Sequence, residues 1–153
     1  PFNDLGFAGV RIMETNENYN RQHQDIRIEN NVKYGDVIDG VDFEYVKNLT
    51  SVNAINLALL ASSPPPPQNL NIGGIVEPSV KFKWDLNLEN DIIGYKIYWR
   101  KTSSANWEFS KSIGIVNEYT LENIIIDNYL FSIVSVNKNG FESIYEFPSD
   151  TFR

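Results

Sequence analysis

Two hydrophobic periods divide this chain. From Ser79 onward apolar and polar side chains alternate. In SVKFKW, Val80, Phe82 and Trp84 fall on one face and Lys81 and Lys83 on the other, and GYKIYWR sets Tyr95, Ile97 and Trp99 against Lys96, Tyr98 and Arg100. NYLFSIVSV continues the pattern, with Tyr129, Phe131 and Ile133 facing inward and the residues between them nearer the surface. A period of two belongs to strands that bury one face. Turn-forming stretches separate the runs; one of them, NKNG at Asn137–Gly140, offers the positive φ values a hairpin needs. About seven short strands fit between Gln68 and Phe152, which predicts an antiparallel β-sandwich.

Upstream the period is helical. VDFEYVKNLTSVNAINLALLASS places Tyr45, Leu49, Val52, Leu59 and Leu60 at roughly helical spacing, with Glu44, Lys47 and Asn48 on a polar side. Asp42 suits the N-cap, and Val41 and Val46 occupy the two positions of a hydrophobic staple. A lone amphipathic helix is marginal in water and must pack on something. FAGVRIM predicts a short buried strand, and ENNVKYGDVIDG has the turn chemistry of a long loop. One strand, one loop and one helix do not make a domain, so residues 1–62 read as the end of a larger α/β domain whose main body lies outside this sequence. Between the two regions, residues 63–67 with their four consecutive prolines predict a semi-rigid linker, and residues 68–153 the sandwich.

Composition narrows the function classes. With 42% apolar and 13% aromatic residues the chain can build a core. Its net charge of −7, without a run of Lys or Arg, argues against a nucleic-acid or anionic-membrane surface. No apolar run is long enough for a membrane span. The absence of cysteine removes disulfides, thiolate metal sites and thiol nucleophiles. The chain opens at Pro1 without methionine, basic segment or apolar leader, and so reads as a processed or excised piece rather than an intact secretory precursor.

Candidate chemistry is sparse. His23, the sole histidine, sits among amides and charges in ENYNRQHQDIR. Neutral imidazole is a common zinc ligand, yet a lone histidine in a polar loop is ordinarily a solvated surface residue. The acidic pairs Asp36 with Asp39 and Glu89 with Asp91 lack the alternating oxygens and glycine of a calcium loop, and read as charge that solvates turns. The NLT sequon at Asn48 falls inside the expected helix and reads as a chance match.

Residues 64–153 resemble a fibronectin type III domain. The resemblance rests on PPPPQNL, on Trp84 at the end of the second strand, on IIGYKIYWR as the third, on EYTLENI, and on NYLFSIVSVNKNGFES, which is similar to the family's Tyr-x-Phe-x-Val-x-Ala-Val-Asn pattern. NIIIDNY departs from it in lacking the usual proline before Tyr129. The NKNG loop holds no Arg-Gly-Asp, so an integrin-ligand reading has no support. Tyr98, Trp107 and Phe109 could form an exposed aromatic strip such as a carbohydrate- or protein-binding face has. Trp107 corresponds to an aromatic common in the family's following strand, which favours packing.

Residues 1–62 resemble the C-terminal end of the two-zinc aminopeptidases, the family of the bacterial leucyl aminopeptidases and the glutamate carboxypeptidase type. The matching pieces are Pro1 and Phe2, GFAGVRIMET, YNRQHQD and VDFEYVKNLTSVNAINLALL. They stand where that family has a strand, a loop carrying its last histidine ligand, and a closing helix. Many members follow the histidine with threonine and place an aspartate a few residues later; here Gln24 and Asp25 follow His23. Asp25 is thereby left to orient an imidazole or to solvate the loop.

Together the resemblances imply a mostly β fold, a fibronectin type III-like antiparallel β-sandwich preceded by the strand-loop-helix remnant of an α/β zinc-peptidase domain. They imply the C-terminal portion of a secreted or periplasmic zinc-dependent aminopeptidase-like metallopeptidase. The intact parent would hold two zinc ions, with His23 as one ligand, and would cleave peptide substrates at their N-termini. The other ligands and the base would lie on the remainder of the peptidase domain, so these residues alone would be inactive. The alternative is a fibronectin type III binding or spacer module that contacts protein or glycan.

Overall fold

The computed structural model describes residues 3–5, 9 and 11–152. The chain divides into two compact units, residues 1–51 and 52–153. In the first unit, strands β1 (Arg27–Glu29) and β2 (Val32–Tyr34) form an antiparallel hairpin, followed by a 3-10 turn at Ile38–Gly40. This stretch reads as a long loop from sequence. The hairpin arises because Asn30 and Asn31 take φ of 49° and 62°, the left-handed pair that closes a tight two-residue turn. Gly35 follows at φ +100°, where a Cβ would come within 2.8 Å of the Ile26 Cα, so only glycine fits. Of the expected strand FAGVRIM, Phe7, Ala8 and Val10 lie outside the described residues, and Arg11–Met13 are exposed and irregular.

Helix α1 (Phe43–Ser62) starts where Asp42 caps it: the Tyr45 N–H donates to Asp42 Oδ1 at 3.0 Å. Lys47 and Glu44 pair at 2.9 Å on its polar side. None of its residues is buried. Tyr45, Val46, Val52, Ile55, Leu57, Leu59 and Leu60 are all exposed, and at about 100° per residue they spread over more than half of the circumference. The expected apolar stripe is therefore a broad apolar surface beside the polar side that carries Lys47 and Glu44. No helix among the described residues is long and apolar enough to cross a membrane.

The prolines do not form a free spacer. Pro64 and Pro67 are buried, and the Pro65 carbonyl accepts from Asn87 Nδ2 at 2.8 Å and from the Ser135 hydroxyl at 2.6 Å. Proline has no N–H to satisfy, so two side-chain donors on one carbonyl are enough to seat the run against the sandwich.

The sandwich is built from β3 (Gln68–Gly73), β4 (Val80–Asp85), β5 (Ile92–Lys101), β6 (Phe109–Ile113), β7 (Glu118–Leu121), β8 (Tyr129–Asn137) and β9 (Asp150–Phe152). One sheet has the order β7-β4-β3-β9, with β9 parallel to β3; the other is β6-β5-β8. Residues 141–146 add to the free edge of β8 through bridges at Val136–Glu142 and Ile133–Glu146. The core between the sheets comprises Leu70, Ile72, Val80, Phe82, Trp84, Tyr95, Ile97, Leu121, Phe131 and Ile133. Burial along β4 alternates as the sequence predicts. In β8, however, Ser132 and Val134, which the register sets on the outward side opposite Tyr98 and Lys96, are as buried as the inward residues beside them, and Ser135 faces inward opposite Tyr95. The buried Ser132 hydroxyl donates to the Glu146 carbonyl at 2.9 Å, on the segment that pairs with the edge of β8.

Residues 62–153, cut to keep the Ser62 and Pro65 carbonyls, are expected to unfold in one cooperative urea transition. Phe82→Ala should lower its free energy by about 3–5 kcal/mol. A fragment without a cooperative transition would show that upstream residues belong to this core.

Candidate functional site

Two places carry candidate functional side chains: the turn that ends on His23, and the outer face of the β6-β5-β8 sheet. At the turn, the Asn18 carbonyl accepts the N–H groups of Arg21 (2.9 Å) and Gln22 (3.2 Å), and Asn18 Oδ1 accepts from Asn20 N–H at 3.1 Å. The chain leaves this coil through His23 at φ 53°, a left-handed conformation uncommon outside glycine. The imidazole is exposed.

Arg21 and Lys33 fix the turn to the hairpin through one carboxylate, Asp39, at 3.2 and 3.1 Å. The Lys33 hydrogen bond, with Arg21 beside it, holds the Asp39 carboxyl below its usual range. Asp39 therefore serves as a structural clamp, a more specific role than the turn-solvating charge that the sequence suggests for it. Gln24 Oε1 and the Asp25 carbonyl both accept from Arg27 Nη1, and the Arg27 guanidinium lies 4.0 Å from the centre of the Tyr34 ring. Among the described residues no group of three or more His, Cys, Asp or Glu side chains is placed to hold a metal ion. What the turn offers is one presented imidazole.

On the outer face of the sheet the register puts Lys96, Tyr98 and Arg100 of β5 on the side opposite Tyr95, Ile97 and Trp99. Glu142 accepts from Lys96 Nζ at 3.0 Å and from the Tyr98 hydroxyl at 2.8 Å. Tyr98 and the Glu142 carboxylate together hold Lys96 above its ordinary value, while burial raises the Tyr98 and Tyr145 phenols. The Arg100 guanidinium sits 5.6 Å from the Trp107 ring centre and donates to the Ser104 carbonyl.

The aromatic strip differs in membership from the sequence reading. Phe109 is opposite Trp99 in the register and stacks on it at 5.6 Å, so it belongs to the inward side. Tyr98 and Trp107 are joined instead by Tyr145 and Phe147. The sequence signal for these two is their i, i+2 spacing in YEFP, easily passed over because residues 141–147 form isolated bridges and no strand.

The sequence pattern of the fibronectin type III domain matches residues 65–151, more than half of these 153 residues. The chain belongs to the fibronectin type III family. Over nearly its whole length, that domain included, it is 37% identical over 150 residues to a probable zinc metalloprotease of Pyrenophora tritici-repentis, covering 96% of this chain and 31% of that protein. Probable zinc metalloproteases of Pyrenophora teres f. teres and Leptosphaeria maculans are 36% and 35% identical over 151 residues, each covering 97% of this chain. The match covers 31% of the first of these and 35% of the second. The fibronectin type III chain thus spans about a third of the length of the curated relatives it matches.

Burial also raises the Glu146 carboxyl above its ordinary value, with no charged neighbour behind the shift. A raised carboxyl favours the folded state below its unfolded value, 4.5, and that advantage is lost as pH rises through the folded value. Glu146→Gln is therefore expected to raise the melting temperature of this fibronectin type III domain at neutral pH. The gain should vanish in melting curves taken below pH 4.5. The Glu146 backbone bonds to Ile133, 3.0 Å each way, are untouched by the change.

Proposed function

We propose that this chain is the C-terminal portion of a secreted, zinc-dependent aminopeptidase-like metallopeptidase, with the fibronectin type III domain appended to it. The observation that carries the reading is the 35–37% identity to probable zinc metalloproteases across 96–97% of the chain, which extends well upstream of residue 65. Two features upstream of the sandwich support it. α1 buries none of its apolar side chains, and a helix with so broad an apolar surface packs on further structure. His23 is an exposed imidazole held at a constrained backbone position, the donor chemistry of a zinc ligand.

On this reading His23 supplies one ligand and α1 closes the catalytic domain, while the remaining ligands and the carboxylate base lie on the rest of the parent. Zinc, when bound there, would activate water and polarise the scissile carbonyl. The residues in this chain contribute positioning: Asp39 ties Arg21 and Lys33 together, and the Asn18 coil sets the direction in which the imidazole leaves the backbone. Asp25 is then the carboxylate available to orient the imidazole.

Restoring the upstream sequence is expected to give zinc-dependent release of N-terminal residues from peptides. His23→Ala should reduce that activity by at least about a thousandfold and lower the zinc content measured by mass spectrometry. Full activity and full zinc content in the variant would remove His23 from the site. Cleavage confined to internal peptide bonds would keep the metallopeptidase and discard the aminopeptidase.

A further inference from the structure

We propose that the end of the sandwich where the proline run enters is an interface with the rest of the parent chain, which holds the fibronectin type III domain in a fixed place rather than as a free module. The inference rests on the proposed function only in taking these residues as the end of a larger protein. The register brings three loops to this end. Gln68 pairs with Asp85, Lys83 with Glu118 and Ile92 with Asn137, so residues 86–91, 114–117 and 138–140 all emerge beside the start of β3. The Trp84 N–H donates to the Asn117 carbonyl at 3.0 Å and joins the first two loops at their bases. These two loops carry Leu86, Leu88, Ile115 and Val116, all exposed, Leu88 to 93%. None of the four belongs to the hydrophobic core cluster.

The occupant follows from the tether. Asn87 Nδ2 and the Ser135 hydroxyl hold the Pro65 carbonyl, Asn137 Nδ2 holds the Ser62 carbonyl, and Pro64 and Pro67 are buried. The chain is thus seated on this end from Ser62 onward, and Leu88 is the neighbour in sequence of the asparagine that seats it. A domain built upstream of Ser62 is delivered to these loops by covalent connection. The relatives have such a body, because the match covers 31–35% of their length and about two thirds lies outside it. Size favours the same occupant. Interfaces between separate proteins engage about 20–30 residues a side, far more than these loops offer. A partner on a short tether is present at an effective concentration on the order of millimolar, where a small apolar patch is enough to hold it. Ile75 and Val76 are exposed at the opposite end of β3, but the entering chain is anchored away from them.

Hydroxyl-radical footprinting tests this directly, since it oxidises leucine, isoleucine and valine side chains according to their exposure. The parent with its upstream sequence restored is compared with the 153-residue chain. Labelling of Leu88 is expected to fall about tenfold in the parent, from 93% exposure toward that of a buried side chain, with Ile115 following it and Val76 unchanged. Leu88→Asp in the parent should return Ile115 and Val116 to the labelling of the shorter chain. Ile115→Asp, read at Leu88, gives the same test should the first variant misfold. Equal labelling of Leu88 in the two proteins overturns the proposal. So does protection that survives both aspartate variants, or protection that grows with protein concentration, which would mark a second copy. Zinc content and peptidase activity of the same samples keep the two readings apart. Protection without either supports the interface and removes the peptidase, and activity with Leu88 unprotected does the reverse.

Discussion

The sandwich is closed by aromatic contact between its sheets. Phe82 of β4 meets Phe131 of β8 edge-on at 5.4 Å, and Trp84 of β4 meets Tyr95 of β5 at 5.3 Å in the same manner. With no cysteine available, nothing covalent ties the layers together. Each such pair adds about 0.5–1.5 kcal/mol beyond the area it buries. These contacts also fix register. A one-residue slip of β5 would turn Tyr95 and Ile97 to the outside and bring Lys96 and Tyr98 into the core. The outer face, with its Lys96–Glu142–Tyr98 network, exists because the inner one is locked.

The same economy governs the proline run. Its carbonyls are the groups that need partners, and Asn87 and Ser135 supply them to Pro65, while Asn137 Nδ2 donates to the Ser62 carbonyl at 3.0 Å. Asn137 is a shared pivot. Its own Oδ1 accepts from the N–H groups of Asn139 and Phe141, shaping the turn that brings residues 141–146 back along β8. One buried amide side chain thus anchors the start of the domain and the return of its last segment. Such a role asks for asparagine, with a donor and an acceptor on one short side chain.

What could be read from the sequence followed burial. The alternation in β4 and β5 was legible because one face of each strand is core and the other solvent. In β8 the pattern is masked because an inward position holds a serine, Ser135 opposite Tyr95, while Ser132 and Val134 on the outward side are buried as well. The hairpin of the first unit is hidden for the opposite reason: β1 is exposed throughout and β2 has two exposed residues and the half-buried Tyr34, so no hydrophobic period marks them. Only Asn30 and Asn31 announce the turn. Tyr145 and Phe147 lie on a segment that pairs through isolated bridges, where periodicity gives no guidance. His23 as a metal ligand rests on resemblance, since a single imidazole in a polar loop has no partner pattern to read; the structure adds its left-handed backbone.

The two units differ most in where their apolar surface goes. Every member of the hydrophobic core cluster lies at or beyond Leu70. In the first unit Ile26, Ile28 and Ile38 are each more than 70% exposed, and the hairpin they flank is held by polar clamps such as Arg21 to Asp39. Exposed ion pairs contribute about 0–1 kcal/mol each, whereas burying one isoleucine contributes about 1.5–3 kcal/mol. The clamps set a shape but cannot supply the stability that those side chains would gain by burial. On the proposed reading such a surface is completed by further chain, and the same event that buries α1 and the three isoleucines brings the other metal ligands to His23. Folding of the unit and assembly of its site would then be one process, which is why its chemistry is so thinly written in the residues present here.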